Sequence, residues 1–225
     1  STGVLHPVEA LTDVVHEHSD ALMAVDGITA VGVHRLPMDE LELDVLVAGS
    51  QKAFGIPPGL GFVAGNERAW EVYETSDSPG FYFDLGREHD RQKGDQTAFT
   101  PAIHQVRALD VVLEMMQEEG RETLIERHDV NARATRRAVR ALGLDVFSER
   151  HSNAVTAVET PEEGQGPDVV QHMREDHGIT IAGGQRHLGP RLFRLGHIGF
   201  FERSDILNMI SALELVLPEV GHEVE

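Results

Sequence analysis

The chain has 225 residues, 40% of them hydrophobic, and 38 acidic against 19 basic side chains give it a formal charge of −19. That length and apolar content can bury the core of one large or two smaller domains. The acidic balance argues against nucleic-acid binding, which needs clustered Lys and Arg. No stretch of 18 apolar residues is present to span a bilayer, and the absence of cysteine rules out disulfide and thiolate chemistry in these residues.

The first element expected is a helix in "PVEALTDVVHEHSD", where Val8, Leu11, Val14 and Val15 recur at helical spacing behind Pro7. A short buried strand follows at Ala21–Val25 and ends at Asp26 and Gly27. "DELELDVLVAGS" reads as a helix or turn leading into a strand at Asp44–Ala48. A third strand at Gly61–Ala64 precedes a helix from Asn66 to Tyr73. Strands alternating with helices imply a mainly parallel sheet. The polar stretch from Thr75 to Thr97 reads as a long irregular crossing segment. Helices are expected over Ala102–Glu118 and Glu122–Leu142, the second with the basic run "RATRRAVRAL" on a solvated face.

Beyond Gly143 the pattern changes. "NAVTAVETP" is a strand, "GPDVVQHMREDHG" a helix, and "ITIAGG", "RLFRLGHIGF" and "SDILNMISALELVL" read as strand, strand and helix. This describes a smaller α+β domain, with a boundary near Gly120 that divides the chain into residues 1–119 and 120–225.

The basic residues are lopsided: Lys52 and Lys93 are the only lysines, and the rest are arginines. An acidic surface nearly free of lysine suits a protein adapted to concentrated salt, where self-repulsion is screened. With no cysteine and no signal-peptide pattern in "STGVLHPVEALTD", the expected location is the cytoplasm.

Against that scarcity the position of Lys52 stands out. It lies in "VLVAGSQKAFGIPPGLGF", an apolar stretch bounded by glycine and proline. Asp26 ends an apolar strand, Lys52 follows another by a few residues, and Arg194 lies in "FRLGHIG". Ligands of open α/β sheets bind beyond the carboxyl ends of the strands, so Asp26 and Lys52 are expected to face one crevice. Apolar surroundings favour a neutral amine, which condenses with an aldehyde. A carboxylate beside a pyridine nitrogen keeps that nitrogen protonated. Together these are what a protein supplies to pyridoxal phosphate.

"VDGITAVG", "GSQKAFGIPPG" and "FRLGHIG", in that order and with Asp26 and Lys52 spaced 26 positions apart, resemble the class V branch of pyridoxal-phosphate-dependent aminotransferases, within it the alanine–glyoxylate and serine–pyruvate family. The resemblance implies the α/β architecture of fold type I of these transferases: the C-terminal part of a large domain with a mainly parallel sheet, then a small α+β domain. The family's glycine-rich phosphate cup and ring-stacking aromatic would lie before Ser1, in a longer protein. Lys52 matches the lysine that bonds the cofactor aldehyde and shuttles a proton, Asp26 the partner of the pyridine nitrogen, Ile28 a contact on the ring face, and Gln51 a contact to the phosphate or ring-oxygen region. Arg194 matches the arginine that grips the substrate carboxylate, for which a guanidinium fork is suited. "QTAFTPAIHQ" resembles the phosphate-contacting segment that reaches into a neighbouring subunit. Thr97 and Thr100 would offer hydroxyls there, so a homodimer with a shared site is implied.

The implied reaction moves an amino group from alanine, serine or aspartate to glyoxylate or pyruvate by a ping-pong scheme. Two alternatives stay open: a catalytically incompetent fragment of such an enzyme, and another class V transaminase such as phosphoserine aminotransferase. No metal site is expected, since His16 and His18 of "HEH" point in different directions on a helix. His197 is expected either to line the pocket or to pack.

Overall fold

The computed structural model describes residues 1–224. In chain order it contains α1 (Val8–His18), β1 (Ala24–Asp26), β2 (Val45–Gly49), β3 (Gly61–Gly65), α2 (Glu67–Thr75), α3 (Leu85–Gln92), α4 (Ile103–Glu119), α5 (Arg121–Ala141), β4 (Asp145–Val146), β5 (Val155–Glu159), α6 (Gln165–Glu175), β6 (Ala182–Gly183), β7 (Leu192–Gly196) and α7 (Arg203–Glu219). Two sheets result, a three-stranded one in the order β1-β2-β3 and a four-stranded one in the order β4-β5-β7-β6. No helix among the described residues is long and apolar enough to cross a membrane.

In the first sheet β1 and β2 run parallel, with Asp26 opposite Val47, while β3 returns antiparallel to β2. The expected parallel pair is therefore present, and the third strand makes the sheet mixed. β1 starts at Ala24 rather than Ala21 because the Met23 amide is diverted to a side chain, donating to Asp44 Oδ2 at 2.6 Å. Asp44 is buried and also accepts from Asn66 Nδ2 and Arg68 Nη1, both at 3.0 Å. Burial alone would push this carboxyl's pKa up, but the bonds from Met23, Asn66 and Arg68 outweigh it and hold it below the usual value. Asn66 also caps α2, its Oδ1 accepting from Ala69 N at 2.9 Å.

Residues 75–97 are not irregular throughout. They contain α3, started by Asp84, whose Oδ1 accepts from the amides of Gly86 and Arg87. The basic run on α5 is not all solvated either. Arg136 is buried, donating from Nη1 to Ser152 O and from Nη2 to Asn153 Oδ1, both at 3.2 Å. Helical periodicity alone turned that arginine toward β5.

The larger core lies between the antiparallel sheet and α5, α6 and α7. It includes Val158, Phe193 and Leu195 from the strands and Val139, Met173, Leu213 and Leu217 from the helices. A smaller core joins the two sheets: Val33 from the turn after β1, Ala53 from the turn after β2 and Ala154 just before β5, backed by Met116 and Ile198. Around it sits a largely buried polar network. His197 is fully buried, its Nδ1–H donating to Asn153 O at 2.8 Å and its Nε2 lying 3.0 Å from Thr156 Oγ1. Desolvation, reinforced by Arg136 and His128 and opposed by the Asn153 bond, pushes its pKa down to about 4.

Two outcomes follow. Asp44→Asn leaves Arg68 without its charge partner and should cost about 2 kcal/mol in denaturant unfolding; an unchanged midpoint would show that Asp44 does not hold the β1–β2–α2 corner. His197 is neutral in the fold, so its contribution to stability is complete above its unfolded pKa near 6.5 and is lost as the pH falls toward about 4, by about 3 kcal/mol in all. Unfolding free energies measured from pH 7 to pH 4.5 should fall more steeply in the parent than in His197→Gln, and parallel curves would contradict this.

Candidate active site

Lys52 lies in the turn after β2. Ser50, buried at the head of the turn, donates from Oγ to Pro57 O at 2.8 Å and accepts from Leu60 N at 3.2 Å. Gly55 N closes the inner loop on Lys52 O at 3.0 Å. The "GIPPGLG" segment thus folds back over Ser50 and presents the Lys52 side chain, half-buried, at the C-terminal end of β2. The other lysine, Lys93, is an exposed surface residue paired with Asp90 at 2.9 Å.

Lys52 and Arg194 line one cavity of about 610 Å³, with Thr29, Ile198 and Ala182 among its other walls. Arg194 lies on β7 between Ala157 of β5 and Ala182 of β6. Its Nε donates to Gly183 O at 2.8 Å. Among the described residues Nη1 and Nη2 have no protein acceptor, and no carboxylate pairs with the guanidinium. One edge of the fork is fixed by backbone and the other is left to bind.

Asp26, exposed at the end of β1, lines a neighbouring cavity of about 900 Å³. Its Oδ1 accepts from Ile28 N at 3.0 Å, which turns the chain and leaves Oδ2 without a partner among the described residues. Thr29 lines both cavities and so stands between the Asp26 carboxylate and the Lys52–Arg194 space. Sequence reasoning singled out Ile28 and passed over Thr29. The strand-end signal marks the stretch, and only the three-dimensional turn decides which side chain faces inward.

Other expected contacts lie apart. Ile28 is half-buried and touches Asp26 through its amide, but it lines neither cavity. Gln51 is exposed and its amide lies against Gly49, outside the Lys52–Arg194 cavity. Thr97 and Thr100 are exposed, ahead of α4, and line neither cavity in this single chain; Thr97 Oγ1 donates to Phe99 O at 2.5 Å. The start of α4 does reach the Lys52 loop, through Gln105 Nε2 on Pro58 O at 2.7 Å.

Under the site lie polar groups that sequence reasoning left unassigned. His34 Nε2 accepts from Asn153 N at 3.1 Å, and its pKa is lowered by burial first and then by His128 and Arg136. His128 is fully buried, bonded through Nδ1 to Leu124 O at 2.8 Å and accepting at Nε2 from Gly199 N at 3.2 Å. No spacing rule marks these histidines, because their partners are backbone groups on distant elements.

The arrangement fits one end of a pyridoxal-phosphate site. An amine and a carboxylate stand at the ends of adjacent parallel strands, one hydroxyl lies between them, and a guanidinium with two open donors shares the amine's cavity. The residues that line the two cavities include no glycine-rich cradle of backbone amides for a phosphate.

Residues 1–206 match the family described as aminotransferase class-V. The chain is 44% identical over 226 residues to the soluble hydrogenase 42 kDa subunit of Anabaena cylindrica, covering 99% of this chain and 58% of that protein. It is 33% identical over 229 residues to a serine–glyoxylate aminotransferase of Arabidopsis thaliana, covering 100% of this chain and 57% of the relative. Among solved structures, the ureidoglycine–glyoxylate aminotransferase of Bacillus subtilis superimposes with a TM-score of 0.92 at 29% identity, over 100% of this chain and 59% of that one. The chain therefore spans somewhat more than half the length of the relatives it matches. With the family match extending over most of its length, the chain belongs to the class-V aminotransferases.

Proposed function

We propose that this chain carries the reacting lysine, the ring-nitrogen partner and the carboxylate grip of a pyridoxal-phosphate-dependent aminotransferase. The observation that carries the reading is the pairing of Lys52 and Arg194 in one cavity, with Asp26 on the strand beside β2. The cofactor, when bound, supplies an electron sink for a substrate carbanion. The chain's own residues do the rest. Lys52 Nζ would bond the cofactor aldehyde and, once the substrate amine has displaced it, would carry a proton between the substrate and cofactor carbons. Asp26 keeps the pyridine nitrogen protonated. The two open nitrogens of Arg194 take the α-carboxylate in parallel hydrogen bonds and so orient the bond that breaks. Ile28, through the amide it gives to Asp26 Oδ1, and Gln51, the neighbour of Lys52, stand outside the two cavities and enter this reading only as supports of those two residues.

The amino donors proposed are alanine, serine or aspartate, with glyoxylate or pyruvate as acceptor. The serine–glyoxylate and L-aspartate–glyoxylate names of relatives from Arabidopsis thaliana and Paracoccus denitrificans support that class. Residues 1–119 would be the C-terminal part of the cofactor-binding domain and residues 120–225 the small domain. A homodimer is part of the reading, with Thr97 and Thr100 serving the neighbouring subunit's phosphate. Its support is α4, none of whose 17 residues is buried and whose Ile103, Val106 and Val111 stand exposed. The charge of −19 with only two lysines supports adaptation to concentrated salt, and the cysteine-free composition suits the cytoplasm. Two cyanobacterial relatives are named as hydrogenase subunits. Thiolates are the soft ligands that hold iron–sulfur and related metal centres, and these 225 residues contain none to offer.

Arg194→Lys tests the grip. It keeps the charge but loses the fork, so KM for the amino donor should rise roughly 10- to 100-fold, while kcat changes less. An unchanged KM for every carboxylate-bearing donor, in a variant that still folds, would remove Arg194 from the site and with it the main support for the reading.

A further inference from the structure

Both backbone polar groups of Gly199, beside the Lys52 turn, are held by consecutive side chains of α5. Gly199 N donates to His128 Nε2 at 3.2 Å, and Gly199 O accepts from Arg127 Nη1 at 2.9 Å. Each holder is itself fixed. His128 is fully buried with its Nδ1–H committed to Leu124 O, so Nε2 is a bare acceptor. Arg127 uses Nε and Nη2 on the Glu119 carboxylate, at 2.6 and 3.0 Å, and Nη1 also reaches Phe201 O at 3.2 Å.

Gly199 is also where the chain that follows Arg194 meets the Lys52 turn. It adopts φ +95°, a left-handed conformation that favours glycine. A Cβ there would sit 3.3 Å from Lys52 O and 3.9 Å from Gly55 Cα. The two backbones are therefore in near contact, five residues after Arg194. Movement of Gly199 along α5 would change the separation between the guanidinium on β7 and the amine on the turn.

Resting on the roles of Lys52 and Arg194 argued above, we propose that His128 is a positioning residue. It touches neither cavity. By accepting the Gly199 N–H it keeps the loop after β7 seated on the Lys52 turn, so that the amine and the carboxylate grip hold one spacing. This gives a buried histidine on α5 a defined part in the site, transmitted through a single glycine.

The test uses amide hydrogen exchange on the protein without cofactor, alongside donor kinetics with it. His128→Leu strands the Gly199 amide, whereas His128→Gln keeps an amide oxygen able to accept from it. In His128→Leu, peptides covering residues 50–60 and 197–202 should exchange at least about tenfold faster, with residues 213–217 unchanged. KM for the amino donor should rise about tenfold, and His128→Gln should restore both readouts to within about threefold of the parent. Should His128→Leu fail to fold, Gly199→Ala carries the test with His128 intact, since its Cβ presses on Lys52 O; faster exchange at residues 50–60 is expected there too. Exchange at 50–60 equal to the parent in the folded variant, or faster exchange spread evenly over the molecule including 213–217, would overturn the proposal. Failure of the parent to form a reducible bond between Lys52 and pyridoxal phosphate would instead overturn the aminotransferase reading, and the exchange data would still decide whether His128 seats the turn.

Discussion

One residue, through its backbone and its side chain, ties the two sheets to each other and to α5. Asn153 uses all four of its polar groups, each on a different partner. Its amide donates to His34 Nε2, its carbonyl accepts from His197 Nδ1, its Oδ1 accepts from Arg136 and its Nδ2 donates to Asp129 Oδ1. Those partners belong to the turn after β1, the segment after β7 and two turns of α5. Such a set is cooperative, because each lost partner leaves a partly or fully buried group unsatisfied, at roughly 1–3 kcal/mol where burial is complete. The small apolar core of Val33, Ala53 and Ala154 fills the space beside it.

The site inherits its geometry from that joint. Lys52 is next to Ala53, which packs in the joint core, and Arg194 is three residues before His197, which is bonded into the polar network. Neither of the two side chains proposed for the site has strong contacts of its own. Lys52 is presented by a turn built on Ser50, and Arg194 is held only through Nε. The two side chains proposed to bind keep open hydrogen-bonding positions, while the rigidity lies one to three residues away.

Much of this was legible in the sequence, for a physical reason. Asp26 ends β1 and Lys52 follows β2 closely, and an apolar run that stops at a polar residue is visible in one dimension, whereas Arg194 lies in the middle of β7 and is marked in the sequence only by "FRLGHIG" around it. The helices α1, α4, α5 and α7 were legible from their periodicity. The joint was not. His34, His128 and His197 have partners 119, 71 and 44 positions away; in the sequence His34 and His128 read as ordinary polar residues, and of the two roles open to His197 the structure shows packing. Arg136 looked like part of a solvated face because its three arginine neighbours are exposed, yet one residue of an amphipathic helix must meet the sheet. The α3 helix was hidden in a polar stretch because it is short, polar and held by the Asp84 cap rather than by a buried face. Thr29 was missed because the Asp26–Ile28 hydrogen bond, which no spacing reveals, turns it toward both cavities.

The account rests on Lys52 being the amine that meets the aldehyde. The protein would be incubated with pyridoxal phosphate in concentrated salt, reduced with borohydride, digested and mapped by mass spectrometry. The account predicts one equivalent of pyridoxyl group on Lys52, lost in Lys52→Ala, with Lys93 unlabelled. Label shared equally between Lys52 and Lys93, or no label at all, would contradict it.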